Sequence, residues 1–235
     1  MGQTRAAQPQ REQQVPDTVV RLGGWLFRHR TSLPVPLIVL LVIVPPTTTA
    51  VTGFLWPGIV VVAAGELLRL WAVRHIGAIS RTRSDRLGPL VSTGPFGWVR
   101  NPLYVANLLL WVGFTLSAAI PWLLPVVLSV LAFAYHAIVR WEETLLESRL
   151  GDDYRAYASQ VPRWIPHGRP SPVSRREAIV GSPQSASFVH SRDTAGFTWI
   201  ETLFSERGTL IAIILGYLLL WLKTTGYGPV VTGAA

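Results

Sequence analysis

Two consecutive stretches, Tyr104–Ile120 and Pro121–Val139, contain no Asp, Glu, Lys or Arg. A bilayer core about 30 Å thick takes about 20 mostly apolar residues in a helix. Each stretch is close to that length, and its apolar residues fall in a block rather than in a period. Pro121 marks the turn between them, and a connection that short folds the two back as an antiparallel hairpin. Three further blocks read the same way. Leu33–Gly53 carries Pro34, Pro36, Pro45 and Pro46, which must kink or interrupt it. Phe54–Val73 is broken only by Glu66 and Arg69, and Leu210–Leu222 is short enough to need snorkelling flanks or a thin bilayer. The expectation is an all-α integral membrane protein with about five transmembrane helices.

Composition argues the same way. Apolar residues make up 49% of the chain and charged residues 14%, too few to cover these blocks as a soluble core. The net charge is +8, and every basic residue except Lys223 is arginine. The arginines sit between the blocks: Arg5, Arg11, Arg21, Arg28 and Arg30 before the first, and Arg74, Arg81, Arg83, Arg86 and Arg100 between the second and third. The turns near Thr47–Thr52 and Ser117–Trp122 have none, so the positive-inside bias puts the N-terminus and the charged connections in the cytosol. This pattern favours membrane lipids over nucleic acid as partners. Arginine usage suits a bacterial inner membrane. The absence of cysteine excludes disulfides, thiolate metal sites and cysteine nucleophiles, and no metal site is expected. The resulting division is a flexible basic tail over 1–32, a membrane core with four spans over 33–166, a linker and cytosolic segment over 167–208, and a fifth membrane helix with its tail over 209–235.

Three polar clusters lie at the same edge of the spans. Glu66 and Arg69, three apart, share a helix face. They are either a structural ion pair near the interface or an intramembrane functional site. The run Ser92–Tyr104 combines the Gly94-Pro95 turn, a second flexible point at Gly97, and Pro102 suited to a helix's first turn. Within it, Arg100 either clamps a ligand carboxylate or rests on lipid phosphates. The third cluster begins with Glu142-Glu143 and continues through Tyr154, Tyr157 and Val161-Pro162-Arg163. If the fourth helix ends near the glutamates, negative charge there opposes the helix dipole, so their purpose is not capping. Asp152, Asp153 and Arg155 read as the solvated face of a helix lying on the membrane.

The order of these motifs carries a family resemblance. Arg69-Leu70-Trp71-Ala72, Gly77, Leu90-Val91-x-x-Gly94-Pro95-Phe96, Arg100-Asn101-Pro102-x-Tyr104, Gly113, Glu142-Glu143-x-x-Leu146, Gly151-x-x-Tyr154-x-x-Tyr157 and Val161-Pro162-Arg163 together resemble the isoprenylcysteine carboxyl methyltransferases, and the phospholipid methyltransferases look similar through the same region. The resemblance runs from about Glu66 to Pro166. It implies a helical membrane enzyme that holds S-adenosyl-L-methionine in a cytosolic pocket, formed by the loop before helix three and the segment after helix four. By that analogy Phe96, Asn101, Pro102, Leu103, Tyr104 and Glu142 contact the cofactor, and Ala78, Ile79, Ser80 and Arg81 do so by position alone. Arg100 would orient a carboxylate and Glu143 would take a proton from an amine or thiol acceptor. Two positions depart from the family. Asn101 stands where His is common, so no group that titrates near neutral pH sits there. Ile138 stands where the eukaryotic prenylcysteine enzymes have an arginine, so recognition of a prenylcysteine carboxylate is not implied. Membrane sterol and steroid reductases, which use NADPH, also resemble this region, and a non-enzymatic membrane scaffold is the remaining alternative. The glutamate pair and the long stretch after it favour methyl transfer.

Overall fold

A computed structural model describes residues 18–47, 51–77, 90–167 and 197–231, and among them every regular element is helical. The α-helices are α1 (Thr18–Arg28), α2 (Pro34–Ile43), α3 (Val51–Ile76), α4 (Pro102–Ser117), α5 (Leu124–Leu150), α6 (Asp152–Gln160) and α7 (Trp199–Val231). Short 3-10 turns at Gly94–Gly97 and Pro121–Leu123 lead into α4 and α5. Gly53–Ile76, Pro121–Leu150 and Trp199–Thr225 are long and apolar enough to cross a membrane, whereas α2 and α4 are shorter apolar helices.

Several boundaries differ from the sequence expectation. The first block is not one span. Its helix stops at Ile43, ahead of Pro45-Pro46, and at a rise of about 1.5 Å per residue it is only about 15 Å long. The Leu41 carbonyl would ordinarily accept from the amide of residue 45, and proline has none. The Lys223 ammonium on α7 fills that vacancy at 2.7 Å. Part of the basic tail is also ordered: Thr18–Arg28 is an amphipathic helix whose Val20, Gly23, Gly24, Leu26 and Phe27 are buried, and it packs on α5. The fourth helix does not end near the glutamates. It continues to Leu150, so Glu142 and Glu143 lie in its interior, and it stops where Gly151 takes a φ of 53°. The last apolar block is the middle of a longer helix that begins inside the expected linker. Thr198 and Glu201 form a reciprocal cap there, with the Glu201 amide donating to Thr198 Oγ1 at 3.3 Å and the Thr198 amide donating to Glu201 Oε2 at 2.8 Å.

The most extensive packing joins α3 to α4. It needs two glycines. A Cβ on Gly58 would stand 2.1 Å from Ser117 Oγ, and one on Gly113 would stand 2.6 Å from the Gly58 carbonyl oxygen. Small residues here let the two backbones approach directly, which is how helices gain packing energy in lipid. Gly113→Val is expected to cost at least about 1–3 kcal/mol by forcing the helices apart. Gly208→Val, at a position where an added Cβ meets nothing within 4 Å, is expected to stay within about 0.5 kcal/mol of the parent. Thermal unfolding of both variants in detergent measures the difference.

Candidate functional site

The chain reaches the site through a sharp entry. Gly94 adopts a φ of 60°, and a Cβ there would collide with the His75 ring. The 3-10 turn that follows buries Pro95 and Phe96 and turns the backbone into α4. Arg100 donates its backbone amide to the Pro162 carbonyl at 2.8 Å. Asn101 precedes α4 but does not cap it with its side chain, and its Nδ2 donates instead to the Arg163 carbonyl at 3.3 Å. The segment after α6 is thereby stitched to the segment before α4.

Charge completes the assembly. Glu143 Oε1 lies 3.0 Å from Arg100 Nη1. Arg163 grips the same carboxylate with two prongs, Nε to Oε1 at 3.0 Å and Nη2 to Oε2 at 2.6 Å. That two-pronged geometry is the strong form of the ion pair, and the carboxylate hydrogen bonds hold Arg163 above the usual guanidinium range. All three side chains are mostly buried. Arg100 Nε is itself buried and has no hydrogen-bond partner. One turn of α4 further on, the Tyr104 hydroxyl donates to Glu142 Oε1 at 2.9 Å, and the Tyr104 ring lies against Tyr135 with centroids 5.1 Å apart.

Helix α6 forms the other wall. Its Asp152 and Asp153 occupy the first turn, where they complement the helix dipole, while Tyr154 and Tyr157 point inward and are buried. The Tyr157 hydroxyl donates to the Phe96 carbonyl at 2.8 Å. Burial raises its pKa and keeps it a phenol. Burial, followed by the nearby Glu143 carboxylate, pushes Tyr154 up to about 12 against the pull of Arg100. Arg100, Arg140, Glu143, Glu147, Tyr154 and Arg163 are among the residues lining an open cavity of about 380 Å³. It holds more guanidinium than carboxylate.

Of the residues singled out from the sequence, Arg100 and Glu143 line this cavity, Asn101 is tied to it through the Arg163 carbonyl, and Tyr104 and Glu142 form a pair of their own outside its lining. Pro102 and Leu103 form the first turn of α4 beside them, and Phe96 contributes its carbonyl through the link to Tyr157. Ala78, Ile79, Ser80 and Arg81 lie outside the described residues. Arg163 was not foreseen as a site residue, although the Val161-Pro162-Arg163 motif contained the signal. Arg30 was not foreseen either, having been placed in the tail. It stacks over Phe27 with 4.1 Å to the ring centroid, and its charge acts on both Tyr104 and Glu142.

Glu66 and Arg69 belong to a separate cluster between α3, α4 and α7. Arg69 donates to Glu206 Oε2 from Nε at 3.0 Å and from Nη2 at 2.8 Å, and also donates to Asn107 Oδ1. Glu206 Oε2 takes a further bond from Thr209 Oγ1 at 3.0 Å. Glu66 stands 3.8 Å from Arg69 Nε, and both its oxygens are buried without a hydrogen-bond partner. The partner on α7 was invisible to a reading that placed residue 206 in a linker. Among the described residues no group of three or more His, Asp or Glu side chains is arranged to hold a metal ion.

Comparison with known proteins finds the phospholipid methyltransferase family model matching residues 54–153. Those residues place the chain in the phospholipid methyltransferase family. The family segment takes in α3, α4 and α5 with Arg100, Tyr104, Glu142 and Glu143, but it stops short of Tyr154, Tyr157 and Arg163, which close the site from α6 onward. Among curated relatives, the chain is 29% identical to the nickel-cobalt-cadmium resistance protein NccN of Alcaligenes xylosoxydans xylosoxydans, over 62% of this chain and 68% of that protein. It is 32% identical to the cobalt-zinc-cadmium resistance protein CzcN of Cupriavidus metallidurans, over 46% of this chain and 47% of that protein. An uncharacterized protein of Haemophilus influenzae is 38% identical over its whole length, which corresponds to 27% of this chain. No solved structure matches the chain significantly. The likeness to this methyltransferase family therefore rests on sequence, and the site geometry stands beside it as an independent observation.

Proposed function

We propose that this member of the phospholipid methyltransferase family is an integral membrane enzyme that transfers a methyl group from S-adenosyl-L-methionine to a lipophilic acceptor bearing a carboxylate, amine or thiol. The carrying observation is the convergence of Arg100 before α4, Glu143 on α5 and the segment 154–163 on one charged cavity, through Glu143 and its two arginines. In this reading about five membrane-inserted helices, α2 to α5 and α7, hold the cavity at the cytosolic face. The N-terminus lies on that same side, and a bacterial inner membrane is the setting.

The donor set fits the cofactor. S-adenosyl-L-methionine presents a sulfonium and an ammonium for a carboxylate to hold, and a carboxylate for a guanidinium. The unpartnered Nε of Arg100 offers the second at the cavity, and Glu142, which Tyr104 holds outside the cavity lining, would offer the first. A cavity of about 380 Å³ is of ordinary ligand-site size, about 300–1,000 Å³. When bound, the sulfonium supplies an activated methyl group, and displacement from it asks the protein mainly for alignment and exclusion of water. Tyr104 spends its proton on Glu142 Oε1 and so orients that carboxylate. Glu143, occupied at both oxygens by Arg100 and Arg163, serves to hold the two guanidiniums in place. The guanidinium excess along the cavity favours an anionic portion of the ligand, whether on cofactor or acceptor.

Calorimetric titration of the detergent-purified protein tests the proposal. S-adenosyl-L-methionine is expected to bind, and Glu142→Gln to weaken binding at least about tenfold, the equivalent of about 1.4 kcal/mol from a charge-assisted contact. Binding of NADPH in its place would move the protein to the reductases. Failure of both ligands to bind would support the scaffold reading.

A further inference from the structure

Asn107 carries the one amide side chain on α4, a helix that is otherwise mostly apolar. An amide in such surroundings is costly unless its donor and acceptor atoms find partners. Asn107 finds one on each side. Arg69 on α3 donates from Nη1 to Asn107 Oδ1. Arginine has no acceptor atom, so this contact fixes which way the amide points and leaves Nδ2 for the other neighbour. That neighbour is the buried Tyr135 on α5, whose hydroxyl is hydrogen-bonded by Asn107 and by the Trp111 indole. Asn107 and Trp111 are four residues apart on α4 and so present both groups from one face.

Each end of this link leads further. On one side the Arg69 guanidinium is already gripped by Glu206 of α7, through Nε at 3.0 Å and Nη2 at 2.8 Å. The guanidinium is planar, so holding two nitrogens aims the third. On the other side the Tyr135 ring lies against Tyr104 with centroids 5.1 Å apart, and the Tyr104 hydroxyl donates to Glu142 Oε1 at 2.9 Å. Tightly packed rings shift only together, and Tyr135 is pinned at its hydroxyl. We propose that Asn107 is a positioning residue: through Tyr135 it holds the Tyr104–Glu142 pair in the orientation that receives the ligand, on the reading above that Glu142 holds the cationic portion of S-adenosyl-L-methionine. Glu206 lies beyond the family segment 54–153, so this support reaches Glu142 from a helix that the family likeness does not include.

Two substitutions cut the link at different atoms. Asn107→Leu removes the amide and keeps its branched shape, whereas Tyr135→Phe removes the hydroxyl and keeps the ring against Tyr104. Each is made in the parent protein and in Glu142→Gln, and S-adenosyl-L-methionine binding is measured by calorimetry in detergent, well below each variant's unfolding temperature. Either substitution is expected to weaken binding about fivefold in the parent, the equivalent of about 1 kcal/mol for one hydrogen bond. In Glu142→Gln neither should weaken it further, because the carboxylate they position is gone. Unchanged affinity in Tyr135→Phe would overturn the inference. So would an equal loss with and without the Glu142 carboxylate, which marks a general packing role. Should Asn107→Leu fail to fold, Tyr135→Phe decides alone. No binding by the parent protein would overturn the cofactor role of Glu142, and this inference with it.

Discussion

Arg69→Met is expected to destabilise the protein by about 3–5 kcal/mol, because it leaves a buried carboxylate without its cation. Arg69 satisfies Glu206 through two nitrogens and Asn107 through a third, and it is also the cation nearest Glu66. Without it, two acids face each other between α3, α4 and α7. Methionine keeps most of the side-chain volume, so the loss reports charge rather than packing. The cost is tied to the unpaired acid, so Arg69→Met/Glu206→Gln is expected to recover most of it. Unfolding in detergent, followed by helix signal against temperature or denaturant, measures both. If the double variant is no more stable than the single one, Arg69 acts through some interaction other than the α7 clasp. Loss of the clasp should also expose α7 to protease earlier than α4 and α5, since α7 meets the rest of the protein mainly along α3 and at Lys223.

Glu143→Gln is expected to lower the rate of methyl transfer by about a hundredfold, the scale of loss that follows from misplacing reacting groups by about 1 Å. One carboxylate holds the arginine before α4 and the arginine after α6, so its neutral isostere, with one acceptor oxygen and no charge, can no longer hold both. The Pro162–Arg100 backbone link and the Asn101 side-chain link to the Arg163 carbonyl remain, but two mostly buried guanidiniums lose their counter-ion, so stability is expected to fall by about 3–5 kcal/mol as well, and the rates are compared well below the variant's unfolding temperature. Single-turnover transfer from labelled S-adenosyl-L-methionine to lipids ending in an amine, a carboxylate or a thiol provides the measurement. A Glu143→Gln protein with unchanged rate and affinity would remove the role assigned to the arginine pair. The contrast with Glu142→Gln is informative. That variant should act on cofactor affinity, whereas Glu143→Gln should act on rate once the cofactor is bound.

Much of the core was legible because its determinants are local. Long uncharged stretches, Pro121 at a turn and Pro102 at a helix start each act through the immediate backbone, and the hairpin of α4 and α5 follows from them. Motif order singled out Arg100, Asn101, Tyr104, Glu142 and Glu143 through a spacing that a family likeness registers, and of these the fold places Arg100 and Glu143 at the cavity. The beginning of α7 was equally local and was overlooked. The Thr198-x-x-Glu201 box marks that helix start, yet the surrounding linker composition outweighed it.

What the residues by themselves determined was a helical chain too apolar for water, with its polar groups gathered at one edge. Only the tertiary structure decided which of those groups are partners. Glu206 reaches Arg69, Lys223 reaches the carbonyl left vacant by Pro45, and Arg163 reaches Glu143, each across a separation in sequence. The physical reason is common to all three. A charge or a carbonyl in an apolar interior must find a counterpart, but the demand specifies only the kind of partner. Helix packing, set here by glycines that let α1 meet α5 and α3 meet α4, decides which residue supplies it.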